Sequence, residues 1–204
     1  MTARVCCVDP SAPDPLLLQD AADCLLRGGL VAFPTETFYG LGANAMDPGA
    51  VARVYEAKGR PASSPLLVLV DSVAMMESLV AEVPEAARDL MARYWPGPLT
   101  LVFRAAPELP KELTAGTDTI GVRVPGHPVA LEMVRAAGVP VTAPSANLSG
   151  EEPPTTAQAV LEKLDGLIDL IIDGGPTAGG LPSTLLDVTV TPPRLIRQGR
   201  VTLR

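Results

Sequence analysis

"KGRPASSPLLVLV", residues 58–70, holds the end of one element, a turn and the start of another. Its second half, "LLVLV" (66–70), is a continuous apolar run, the pattern of a strand covered on both faces. Just before it, "DPGAVARVYEAK" (47–58) opens with an Asp-Pro start signal and predicts a helix that ends close to Lys58. "KGRPASSP" is then the loop from that helix into a doubly covered strand. A strand of this kind needs helices on its sheet, which makes the fold class α/β.

The flanking sequence reads the same way. "RVCCV" (4–8) predicts a short strand, and "DPLLLQDAADCLLRGG" (14–29) a helix with Asp14 as N-cap, Pro15 at its first position and Gly28-Gly29 as its stop. "LVAF" (30–33) predicts a second strand. Downstream the pattern gives helices near 72–80 and 84–95, strands near 99–103 and 119–124, a helix near 128–137 and a strand at "VPVTA" (139–143). A helix around 155–164 and strands at "LIDLIID" (167–173), "STLLDV" (183–188) and "RLIRQ" (194–198) complete the chain. The clustered strands at 99–124 and 184–198 imply antiparallel pairing within the sheet. With 204 residues, no internal repeat and no linker, one domain over 1–204 is expected.

Composition narrows the function. Hydrophobic residues are 47% of the chain and charged residues 19%, yet no apolar run approaches the roughly 20 residues of a membrane span. "MTARVCC" (1–7) lacks the apolar run of a secretory signal, so a cytoplasmic protein without membrane contact is expected. Three cysteines, Cys6, Cys7 and Cys24, form no CxxC pair and argue against zinc or a disulfide framework; buried, inert thiols are expected. A net charge of −7 argues against a broad nucleic-acid surface. Against that background, two of the sixteen cations stand together in "KGR" (58–60).

Familiar catalytic signatures are missing: no GxxxxGK[ST], no GxGxxG after the first strand, no GxSxG and no HExxH. "GGPTAGG" (174–180) has no lysine and reads as a flexible loop, and His127, the single histidine, as a capping or packing residue. What remains are neutral polar loops at strand ends. "PTETFYG" (34–40) offers Thr35, Thr37 and Tyr39; "APSANLSG" (143–150) offers Ser145, Asn147 and Ser149; "GLPSTLLD" (180–187) offers Ser183 and Thr184. Arg123 lies between Val122 and Val124 in a strand, so it faces the opposite side from both, toward a polar cavity or the surface. Singly these are turn and cap residues. Together, hydroxyls and cations at strand ends suit one phosphate-bearing ligand in the crevice where α/β sheets bind ligands.

In order along the chain, "FPTETFYGLGANA" (33–45), "KGRPASSPL" (58–66), "YWPGPLTLV" (94–102), "TIGVRVPGHP" (119–128), "APSANLSG" (143–150) and "STLLDV" (183–188) resemble the motifs of the YrdC-like family of L-threonylcarbamoyladenylate synthases. The resemblance covers about residues 15–200, with Lys-x-Arg and a later Ser-x-Asn as its hallmark. It implies a twisted, mixed parallel and antiparallel α/β sheet with flanking helices around a large concave cavity, in the short, single-domain form. It also implies a nucleotidyltransferase that converts L-threonine, bicarbonate and ATP, with Mg²⁺, into threonylcarbamoyl-AMP and pyrophosphate. Partner proteins would then pass the threonylcarbamoyl group to adenosine in tRNA, and direct contact with tRNA stays open. By the same resemblance, Lys58, Arg60, Thr119, Ser145, Asn147 and Arg197 would contact ATP, with Lys58 and Arg60 neutralising phosphate charge during the reaction. Thr35, Arg123, the backbone at Ala143 and Ser183 would hold threonine, and no residue is assigned to a metal. The chain differs from the family pattern in "PTET" for "PTDT", in Leu69 where a histidine is frequent, in Ser64 and in Gln198.

The residues suit that chemistry independently. A carbamate made from an amine and bicarbonate is already an anion, so its attack on an α-phosphate needs no general base, and positioning with charge neutralisation suffices. Two other readings stay open. One is a carbamoyl-AMP-forming relative of hydrogenase maturation modules, and the other is a non-catalytic RNA-binding or ribosome-maturation module.

Overall fold

The computed structural model describes residues 2–203, so the two ends of the expected 1–204 domain lie outside the described residues. β1 (Arg4–Cys7) leads into α1 (Pro15–Leu26), where the Asp14 side chain accepts from the Leu16 N–H and Pro15 sits in the first turn. β2 (Val31–Pro34) and β3 (Tyr39–Gly42) form an antiparallel hairpin. β3 was not expected: its residues read as loop because Gly40 and Gly42 interrupt the strand pattern. Both glycines face Phe33, which a Cβ at either position would crowd.

α2 (Pro48–Lys58) starts at Asp47, whose carboxylate accepts from the Gly49 and Ala50 N–H groups. It stops at Gly59, which takes the left-handed conformation (φ 55°) while the Arg60 N–H bonds back to the Tyr55 carbonyl. β4 (Leu67–Leu69) follows, then α3 (Val73–Glu77), α4 (Glu85–Tyr94), β5 (Leu99–Arg104) and a short α5 (Lys111–Thr114) absent from the sequence reading. β6 (Thr119–Arg123), α6 (Pro128–Ala137), β7 (Val141–Thr142), α7 (Ala157–Leu164), β8 (Leu170–Asp173), β9 (Thr184–Asp187) and β10 (Arg194–Arg197) complete the order.

The strands divide between two mixed sheets, ordered β1-β8-β2-β3 and β10-β9-β5-β6-β4-β7. β5 with β6 and β9 with β10 are antiparallel, as their spacing predicts, while β4 runs parallel to β6 and β5 parallel to β9. Isolated bridges at Gly40–Ser145 and Asn44–Val141 link the sheets.

The apolar run at 66–70 is covered on both faces by two different cores. Leu66, Val68 and Val70 join a cluster with residues of α2, α4 and α7, whereas Leu69 joins one built on α1 and α6, with Leu67 packed against its edge. The cysteines depart from expectation. Cys7 is exposed and Cys6 and Cys24 are half-buried, so the adjacent pair does point to opposite faces but none of the three is a core thiol. No helix among the described residues is long and apolar enough to cross a membrane.

Candidate active site

Between the sheets lies a cavity of about 470 Å³, floored by Leu67 of β4 and walled by the β2–β3 turn, the segment after β7 and the stretch leading into β9. Arg60, Arg123 and Arg197 all line it, and no Asp or Glu does among the described residues. In a chain of net charge −7, this is a concentration of positive charge in a concave, low-dielectric space, which attracts anions. Neither Arg60 nor Arg197 has a carboxylate partner among the described residues.

"KGRPASSP" curls on itself. Arg60 donates through Nε to the Ser64 carbonyl (3.3 Å) and through Nη2 to the Pro65 carbonyl (3.2 Å), while the Tyr55 hydroxyl also donates to Ser64 (3.1 Å). These bonds hold the guanidinium at the cavity wall.

Arg123 leaves β6 on the face opposite Val122 and Val124 and is 3% exposed. Its Nη1 donates to Glu36 Oε1 at 2.9 Å. Arg197 reaches in from β10 and donates to the Ser183 carbonyl (3.0 Å). Arg197 is exposed at the surface of β10, yet partial loss of hydration around its guanidinium, and secondarily the Arg123 charge, lower its proton affinity. Ser183 shares a hydrogen bond with Thr100 (2.9 Å). Thr35 donates to the Phe38 carbonyl (2.7 Å) and accepts from the Thr37 N–H, which folds the β2–β3 turn around its hydroxyl. The Ala143 N–H donates to the Leu67 carbonyl (2.9 Å), and the residue lines the cavity.

Seven of the ten residues that the resemblance assigns to ATP or threonine therefore meet in one cavity: Thr35, Arg60, Arg123, Ala143, Ser145, Ser183 and Arg197. Lys58, Asn147 and Thr119 stand outside its lining. Lys58, 3% exposed, lies behind the wall, where Nζ donates to the Ser145 carbonyl (2.5 Å) and the Asn147 carbonyl (2.6 Å), and its own carbonyl accepts from the Ser149 N–H. Asn147 is turned inward, donating to the Leu148 and Glu151 carbonyls. The two residues fold the 145–151 segment that presents Ser145. Thr119 lies on the same face of β6 as Arg123, about 13 Å along the strand.

Burial, and secondarily the Arg60 charge, pushes the Lys58 ammonium down to about 8. Because the folded value lies below the ordinary 10.5, the unfolded chain binds this proton more tightly between those two values, and stability rises with pH across that window. Wild type should therefore gain about 2 kcal/mol relative to Lys58→Met between about pH 7.5 and 9.5, read by urea unfolding. A difference that stays flat or falls over that interval would contradict the shift.

Other residues enter that the sequence reading did not assign to the site. Glu36, His127, Thr177 and Arg200 border a second cavity of about 350 Å³, which shares Thr35 with the first. The "GGPTAGG" segment, expected as a flexible loop, is tied down by Thr177 N–H to the Thr155 carbonyl and Gly179 N–H to the Thr37 carbonyl, both 2.8 Å. His127 stands at the α6 N-cap without a side-chain capping bond, and burial holds its imidazole below the ordinary value. Nothing local marks Glu36, since its partner Arg123 is 87 residues away.

Comparison with known proteins gives the family. The model of the Sua5/YciO/YrdC family, described as "Telomere recombination", matches residues 23–199. A threonylcarbamoyl-AMP synthase of Pyrococcus abyssi is 50% identical over 90% of this chain, and one of Bacillus subtilis 48% identical over 94%. The chain spans 54% and 56% of the length of those two proteins. A crystal structure of Pyrococcus abyssi Sua5 complexed with L-threonine superposes with a TM-score of 0.93 at 47% identity, covering 96% of this chain and 57% of that one. With the family pattern matched across most of its length and the same fold, this chain belongs to the Sua5/YciO/YrdC family.

Proposed function

We propose that this chain, acting as a single catalytic domain, forms threonylcarbamoyl-AMP and pyrophosphate from L-threonine, bicarbonate and ATP. The observation that carries the reading is the cavity itself: among the described residues three arginines and no carboxylate line a space of about 470 Å³, within the range of small-molecule sites. The relatives named threonylcarbamoyl-AMP synthase and the relative crystallised with L-threonine supply the substrate identities.

The threonine amine and bicarbonate give a carbamate with loss of water. A carbamate oxygen then bonds to the α-phosphorus as the bond to the β-phosphate oxygen breaks, and pyrophosphate leaves. Arg60 and Arg197 supply charge for the phosphates, and Arg123, with Thr35, Ser183 and the Ala143 backbone, holds the amino acid. Lys58 and Asn147 act through the 145–151 segment, holding Ser145 against the nucleotide, and Thr119 meets its far end along β6. The cavity lining has no carboxylate, and no group of three or more His, Cys, Asp or Glu suited to a metal occurs among the described residues. Mg²⁺ accordingly arrives on the nucleotide phosphates as part of the substrate. Partner proteins of tRNA modification would consume the product.

The test is pyrophosphate release from ATP and Mg²⁺, with threonine or bicarbonate left out in turn. Release is expected only when both are present. Release that ignores both would reject the reading.

A further inference from the structure

Thr184, one of the strand-end hydroxyls that the sequence offers, lines neither cavity. It is buried at the start of β9, where its N–H donates to the Pro98 carbonyl (2.9 Å). Among the described residues its hydroxyl makes three hydrogen bonds, all to one short segment beyond β10. Oγ1 accepts from the Gly199 N–H (3.0 Å) and the Val201 N–H (3.1 Å) and donates to the Val201 carbonyl (2.7 Å). A hydroxyl has one donor and two lone pairs, so this one is used in full.

The sheet does not hold that segment. The ladder between β9 and β10 slips between Leu195 and Arg197, and its last pair is Arg197 with Leu185. Beyond it the chain turns back over residues 182–184. Gly199 lies so close that a Cβ there would sit 2.3 Å from the Pro182 carbonyl oxygen, and the Arg200 N–H donates to the same carbonyl (3.0 Å). One buried side chain thus clasps a stretch that no strand pairing secures.

Two cations are carried on the clasped backbone. Arg197, two residues before Gly199, lines the first cavity and donates to the carbonyl of Ser183, the chain neighbour of Thr184. Arg200, between the two clasped residues, borders the second cavity and donates through Nη1 to the Glu36 carbonyl (2.8 Å). A long, flexible side chain is placed no better than the backbone that carries it.

We propose that Thr184 is a positioning residue, whose hydroxyl fixes the backbone after β10 so that Arg197 is presented to a phosphate-bearing ligand in the first cavity. The identity of that ligand rests on the synthase reading above; the clasp does not. Two measurements separate them. Thr184→Val keeps the branched shape and removes the hydroxyl. In ¹⁵N-labelled full chain, the Gly199 and Val201 amides of this variant should exchange about tenfold faster, while those of Ile171 and Ile172 in the other sheet keep their wild-type rates, and Thr184→Ser should restore the protection. Affinity for ATP with Mg²⁺, read by calorimetry, should fall about tenfold in Thr184→Val and return in Thr184→Ser. Placed on an Arg197→Ala background, Thr184→Val should change the remaining affinity by less than about twofold, because the residue it acts through is already gone; a merely structural role would multiply the two losses.

Should Thr184→Val fail to fold, Thr184→Ser and Thr184→Cys, which differ only in oxygen against the weakly bonding sulfur, make the same comparison. Wild-type exchange at Gly199 and Val201 in a folded variant overturns the clasp. Faster exchange with unchanged ATP affinity, or a second full loss on the Arg197→Ala background, overturns positioning through Arg197. Wild type that binds no ATP removes the synthase reading and the ligand assigned to Arg197 with it, and the exchange rates still decide the clasp.

Discussion

Lys58→Ala is expected to slow pyrophosphate release about a hundredfold and to lower the melting temperature at the same time. The Lys58 ammonium is the shared donor to two carbonyls of the 145–147 stretch, and its own carbonyl receives the Ser149 N–H. Alanine leaves both acceptors without that donor, at a cost of about 1–3 kcal/mol each where they stay buried. The segment then relaxes, and Ser145 moves relative to the three arginines. A displacement of about 1 Å in a positioned group is worth about two orders of magnitude in rate. Lys58→Met divides the two effects: it refills most of the buried stem and should recover part of the melting temperature, but with no donor it should remain slow. A folded Lys58→Ala variant with wild-type turnover would remove Lys58 from the machinery.

Arg123→Leu should be the more severe change, with a loss of about a thousandfold, equivalent to roughly 4 kcal/mol of transition-state stabilisation. It removes a central cation of the cavity and strands Glu36, a mostly buried carboxylate, without its partner. Breaking a buried pair on one side destabilises by about 3–5 kcal/mol, whereas replacing both members with apolar groups is often neutral. The double variant Arg123→Leu/Glu36→Leu is therefore expected to regain stability over the single one and to stay inactive. Thermal unfolding and threonine-dependent pyrophosphate release, measured together on both variants, decide it. Recovery of activity along with stability would mean that Arg123 matters only to the fold.

The sequence made the frame legible wherever a local rule was strong. Asp14-Pro15 and Asp47-Pro48 marked both first turns, the run at 66–70 announced a strand with two covered faces, and Val-Arg-Val at 122–124 placed Arg123 on the face away from the core. It was less legible where packing overrode propensity. Gly40 and Gly42 disguised β3, yet they are needed because Phe33 lies against them. The cysteines looked like core residues by type, but β1 is an edge strand and leaves Cys7 outside. Site residues followed the same division. Loops at strand ends pointed to the cavity, whereas the burial of Lys58 behind it and the pairing of Glu36 with Arg123 depend on contacts between segments more than eighty residues apart. No local pattern encodes such contacts.

The division of β4 between two cores has a consequence for how the chain can vary in length. Leu66, Val68 and Val70 face one cluster and Leu67 and Leu69 the other side, so the pleat works as a parity rule. Removing a single residue from "GRPASSP" would, if the strand were pulled along, present the wrong set to each side and take Leu67 off the cavity floor. Outside Gly59 and Arg60 the loop can exchange side chains, but its residue count is tied to the odd and even numbering of the strand that follows.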